Sequence, residues 1–184
     1  PPELLVRHLF GLWEAELSRD GEWLVVRSDE AVAFSNIRGR RLNGDTALVP
    51  LVVDQATSMQ AAISPDGRWL AYSSDATGRF EVYVTPFPSV SSTRLVSIGG
   101  GNEPRWARSG KELFYKSGGR LMVVTVQPGA AFTPGTPRAL FSLSGLRAAR
   151  NRPQYDVAPD DRRFLMIKDF EDESGEDLVY VENW

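Results

Sequence analysis

Four times along the chain a short polar turn gives way to an unbroken apolar run. Ser18-Arg19-Asp20-Gly21 precedes Trp23-Leu24-Val25-Val26, and Ser64-Pro65-Asp66-Gly67 precedes Trp69-Leu70-Ala71-Tyr72. Ala107-Arg108-Ser109-Gly110 precedes Leu113-Phe114-Tyr115, and Ala158-Pro159-Asp160-Asp161 precedes Phe164-Leu165-Met166. In the second turn Pro65 presets the backbone, Asp66 can bond locally, and Gly67 takes the conformation a side chain would resist. Asp161 stands where the others have glycine, which Asp tolerates in a left-handed turn at some cost. The runs do not alternate, as expected of strands covered on both faces.

With Gly21, Gly67, Gly110 and Asp161 taken as equivalent, the intervals are 46, 43 and 51 residues. A period of this size built from short strands predicts an all-β fold, a β-propeller of four four-stranded blades in one domain, 1–184. The repeats fall at about 12–53, 58–98, 102–143 and 153–184. In the second, the strands are predicted at 60–64, 68–73, 81–87 and 93–98. The fourth lacks an outer strand, and residues 3–8 form a surplus one. That segment either completes the last blade, closing a four-blade ring, or remains from a blade missing upstream, leaving a partial propeller. An open arc would expose apolar faces and is expected to pair with a second copy as a homodimer.

Composition narrows the function classes. Hydrophobic residues make up 42% of the chain, so it can bury a core, and a net charge of −3 gives no support for a nucleic-acid role. No segment is long and apolar enough to span a membrane, so the chain itself is expected to make no membrane contact. The absence of cysteine excludes disulfides and thiolate metal sites. Arg38, Arg40 and Arg41, then Arg147, Arg150 and Arg152, read as basic loops. Asp169, Glu171, Asp172, Glu173, Glu176 and Asp177 read as an acidic hairpin tip.

Catalytic motifs are missing. Gly99-Gly100-Gly101 lacks dinucleotide-binding spacing, no Gly-x-Ser-x-Gly occurs, and Gly110-Lys111 has no phosphate-cradling context. His8 is the sole histidine, which excludes a multi-histidine metal site built within one chain, and with no nucleophile motif beside it nothing points to a histidine-based triad. The expectation is a non-enzymatic chain without a cofactor. One constellation recurs: Glu14, Gln60, Glu103 and Gln154 open the four innermost strands. They are predicted to ring one mouth of the central channel. There they either bond the neighbouring blade's backbone or, with two acids facing each other, hold a cation or a ligand's amine.

Ile63-Ser64-Pro65-Asp66-Gly67-Arg68-Trp69-Leu70-Ala71-Tyr72 with Glu81-Val82-Tyr83-Val84-Thr85-Pro86 resembles the WD40-like (PD40) repeat of TolB-type propellers. Glu103-Pro104-Arg105-Trp106, Gly110-Lys111-Glu112-Leu113-Phe114-Tyr115 and the closing Leu178-Val179-Tyr180-Val181-Glu182-Asn183-Trp184 narrow the match. They are similar to the C-terminal propeller of bacterial membrane-linked serine/threonine protein kinases. The resemblance implies a non-catalytic sensor or protein-interaction module on the extracytoplasmic side of a membrane. It would bind a protein partner or small ligand at its loop face or channel mouth. The runner-up is the propeller of an exopeptidase-like serine hydrolase lacking its catalytic domain. A third reading is a purely structural TolB-like scaffold.

Overall fold

The computed structural model describes residues 4–6, 8, 11–31, 34–44, 47–146, 153–169 and 176–181. All regular structure among them is β, and none of their segments is a helix long and apolar enough to cross a membrane. The first sheet joins β1 (Leu12–Leu17), β2 (Trp23–Ala31), β3 (Phe34–Arg41) and β4 (Val49–Val52) in sequence order. The second joins β5 (Ser58–Ile63), β6 (Trp69–Ser74), β7 (Glu81–Pro86) and β8 (Arg94–Leu95) in the same way.

The third sheet contains β9 (Asn102–Trp106), β10 (Glu112–Ser117) and β11 (Arg120–Gln127). The outer edge of β11 is shared by β12 (Thr133–Pro134) at one end and β13 (Arg138–Ser142) at the other. The fourth sheet has β14 (Tyr155–Val157), β15 (Phe164–Asp169) and β16 (Glu176–Val181). Every pairing is antiparallel, so each sheet is a meander of the kind that makes a propeller blade.

The turns form as their residues dictate. Ser64 Oγ donates to Asp66 Oδ1 (2.6 Å) and accepts from the Trp69 amide (3.0 Å), while Gly67, at φ 69°, donates its amide to Ser64 O (2.9 Å). Ser18, Asp20, Gly21 and Trp23 repeat this arrangement in the first blade. The outer strand of the second blade is shorter than its sequence predicts. Val96 and Ser97 both turn their amides to Val82 O, and Ser97 Oγ accepts the Val82 amide, so a side chain replaces the ladder beyond Leu95. Arg38, Arg40 and Arg41 lie in β3, not in a loop. They continue a register that pairs Arg38 with Val26, Arg40 with Leu24 and Arg41 with Trp23. Arg147, Arg150 and Arg152, with Glu171, Asp172 and Glu173 of the acidic tip, lie outside the described residues, while Asp169 ends β15 and Glu176 and Asp177 open β16.

Three apolar clusters fill three seams. Val25, Ile37 and Leu51 of the first blade meet Ile63, Leu70 and Tyr72 of the second. Val82 and Val84 meet Trp106, Leu113 and Tyr115. Phe114, Leu121 and Val123 meet Tyr155, Phe164 and Met166. The middle strands are therefore buried on both faces, as their unbroken apolar runs predict. Trp23 and Trp69 are half-buried at the seams, packed against Phe87 (5.4 Å between ring centres) and Phe132 (5.5 Å).

No described cluster joins the fourth blade to the first, and the blades form a partial propeller, not a closed ring. The residue four places before the turn glycine shows the consequence. Ile63, Trp106 and Val157 are each 8% exposed, whereas Leu17 is 58% exposed. Residues 4–6 and 8 form no strand, so an exchanged outer strand for the last blade is not seen among the described residues.

Candidate functional site

Innermost strands run along the propeller axis, and the first three carry an irregularity at the same place. Pairing slips between Leu12 and Ala15 in β1, between Met59 and Ala62 in β5, and on β10 opposite β9. At the last two slips Gln60 (φ 58°) and Glu103 (φ 51°) adopt the left-handed conformation that non-glycine residues avoid. Such a bulge takes a residue's amide out of its own ladder. Each freed amide points instead at the preceding blade.

There it meets the side chain at the equivalent position. Glu14 Oε2 accepts from the Gln60 amide (2.5 Å), Gln60 Oε1 from the Glu103 amide (2.9 Å), and Glu103 Oε2 from the Gln154 amide (2.7 Å). The four residues singled out by the repeat are thus brought together in a row, the first three each latched to the next blade through the backbone amide of the following one. Tyr155 adds a bond from its hydroxyl to Glu103 O (2.9 Å). Burial keeps that phenol protonated, its pKa well above the ordinary value.

The identities of the latches follow a charge rule. Glu14 pairs with Arg27 of β2 (3.0 Å), and Glu103 with Lys116 of β10 (2.9 Å). Each cation lies thirteen residues after its acid. At the same offset, the two glutamines have Ser73 and Ile167. A blade with a buried acid supplies a cation, and a blade with an amide supplies a neutral residue. This is what burial of charge requires. Among the described residues no group of three or more His, Asp or Glu is arranged to hold a metal ion.

Beside the latches lies a cleft of about 400 Å³ between the inner strands. Trp13, Glu14, Glu16, Arg27 and Arg105 contribute to its walls. Glu16 and Arg105 are half-buried and form no ion pair among the described residues. Arg105 is steadied by one bond from Nη1 to Pro104 O (3.0 Å). Burial raises the Glu16 carboxyl above its ordinary value. Arg105 and the Ile63 amide oppose the shift, and Asp156 reinforces it. Glu14 is also raised by burial, against the pull of Arg27 and the Gln60 amide.

The repeat does not reveal Glu16 and Arg105, because the equivalent positions hold Ala62 and Asp156. Arg27 and Lys116 were legible in principle as cations at a fixed offset from the two ring acids.

The sequence matches no protein-family model and no curated protein. Solved structures do match. TolB from Acinetobacter baumannii superposes with a TM-score of 0.70 at 13% identity, over 97% of this chain and 42% of that one. A Mycobacterium tuberculosis puromycin-hydrolyzing peptidase gives 0.62 at 14% identity, over 98% of this chain and 28% of that one. The Cps50 (Swd1) β-propeller domain of Myceliophteria thermophila gives 0.61 at 12% identity, over 96% and 61%. This chain therefore spans less than half the length of the TolB and peptidase chains. At such identities the likeness concerns the fold: four blades of a TolB-like β-propeller.

Proposed function

We propose that this chain is a non-catalytic recognition module in which a stiff arc of blades presents a polar axial cleft to a small ligand or a segment of a protein partner. The observation that carries this reading is the contrast between Glu16 with Arg105 and the latch residues. Both latch acids are matched by cations, whereas these two opposite charges are held half-buried in a cleft without ion-pair partners. Half-buried charge held without a direct ion pair costs stability, and preformed polar clefts are where ligands bind. A carboxylate and a guanidinium together suit a zwitterion, the amine facing Glu16 and the carboxylate facing Arg105. The exposed Trp13 ring forms an apolar wall. The extracytoplasmic, kinase-linked setting implied by the sequence resemblance belongs to this proposal and rests on that resemblance.

Calorimetric titration with glycylglycine tests it against the N-acetylated, C-amidated dipeptide. The free dipeptide is expected to bind, the blocked one not. Glu16→Gln or Arg105→Ala should weaken binding about tenfold, the loss of one charged hydrogen bond. No binding at millimolar dipeptide, or hydrolysis of it by the chain alone, would overturn the proposal.

A further inference from the structure

A second cleft, of about 320 Å³, opens among the turns that join the innermost strands to the next. Its lining includes Arg19, Arg68, Arg108 and Lys111 against one acid, Asp66, in a chain whose net charge is −3. All four cations are exposed. Arg68 is committed to Asp66 (2.7 Å) and to Gly129 O (3.1 Å). Arg19, Arg108 and Lys111 form no ion pair among the described residues.

Arg19 is held over the third blade's turn by a bond from Nη1 to Arg108 O (3.4 Å). The nearby acid Asp161 does not neutralise the cluster by pairing. Its two carboxylate oxygens accept the backbone amides of Arg108 (2.5 Å) and Ser109 (3.0 Å). These bonds fix the turn and leave the Arg108 side chain outward.

We propose that this turn-face cleft docks an acidic, extended peptide segment of a partner protein. The cations come from the turns of three blades, so a small anion would meet one or two of them. A peptide with carboxylates at alternate positions would meet several together. Half-buried Trp69, backed by Phe132, offers an apolar wall for the aliphatic parts of such a peptide. This site is distinct from the axial cleft, and neither proposal depends on the other.

The test is fluorescence anisotropy with a labelled eight-residue Glu-Ala repeat peptide, against a Gln-Ala peptide of equal length. The acidic peptide should bind and the neutral one should not. Affinity should fall about tenfold or more between roughly 50 and 500 mM salt. Arg108→Glu with Lys111→Glu should weaken binding about tenfold or more at an unchanged melting temperature. If that pair fails to fold, Arg19→Ala with Lys111→Gln reads the same interaction. Arg105→Ala should leave it unaltered, which separates this site from the axial one. Equal binding of the neutral peptide, indifference to the substitutions, or tighter binding of an eight-nucleotide oligothymidine would overturn the proposal.

Discussion

Replacing Glu103 by glutamine exchanges one heavy atom, an oxygen for an amide nitrogen, in the most densely bonded latch. The remaining oxygen can still accept the Gln154 amide, and the Gln60 contact to the Glu103 backbone is untouched. What disappears is the charge facing Lys116, whose side chain is only 11% exposed. Removing one partner of a buried pair costs about 3–5 kcal/mol. The contact of Lys116 Nζ with the Tyr155 ring (5.4 Å) persists and softens the loss. The expected cost is therefore about 3 kcal/mol, or a fall of roughly 1–2 M in the urea midpoint at unchanged slope. Lys116→Ser alone should cost a similar amount by stranding the acid. The double substitution recreates the combination that the second blade already uses, Gln60 with Ser73, and should return to within about 1 kcal/mol of the parent. Urea unfolding followed by tryptophan fluorescence measures all four proteins. A cost under about 1 kcal/mol for Glu103→Gln, or a double variant as damaged as its two parents combined, would refute the charge-matching rule.

Other predictions follow from single contacts. Asp161→Gly relieves a left-handed backbone (φ 59°) but removes acceptors for two amides of the third blade's turn, so a net loss of about 1 kcal/mol is expected in denaturant melts; a gain would show that the strain outweighs the bonds. Burial holds the Glu16 carboxyl above the ordinary carboxylate range in the folded protein. The native state therefore binds the proton more tightly than the unfolded chain, and the acid subtracts stability as pH rises from the ordinary carboxylate range through the raised folded-state value. Glu16→Gln should thus raise the melting temperature at pH 7 and leave it unchanged near pH 4, and a fall at pH 7 would refute the burial argument. If the uncovered first-blade face is completed by a second copy, light scattering will give twice the chain mass and Leu17→Glu will halve it; a monomer at every concentration excludes the two-chain ring.

The fold was legible because the repeat is carried by residues whose chemistry is local. Ser18 and Ser64 bond their own turns, and the apolar runs at Trp23 and Trp69 start strands that pack between sheets. The latch positions were legible for the same reason, since Glu14, Gln60, Glu103 and Gln154 keep a fixed distance from their turns. Their partners required the folded register. Arg27 and Lys116 lie on a different strand, and it is the bulges at Gln60 and Glu103 that aim their amides across the seams. The open seam at Leu17 could not be read from its sequence position, because an equally apolar residue is buried there in the other three blades.

The two clefts occupy the places where the repeat is broken. Two residues after the latch, the chain reads Glu16, Ala62, Arg105 and Asp156; two residues before the turn glycine, it reads Arg19, Pro65, Arg108 and Pro159. A position that holds neighbouring blades together must satisfy the same geometry each time, so its residue type is confined to what that geometry accepts. Glutamate or glutamine serves as a latch, and glutamate only with a cation beside it. A position that faces open space at the axis or rim has no such duty and can differ from blade to blade. Recognition of a particular ligand needs that difference, because identical blades would present the same group at every position around the axis. The row of latches thus sets the spacing of the blades, and the unlike residues beside it provide the asymmetric surface on which a ligand can be told apart.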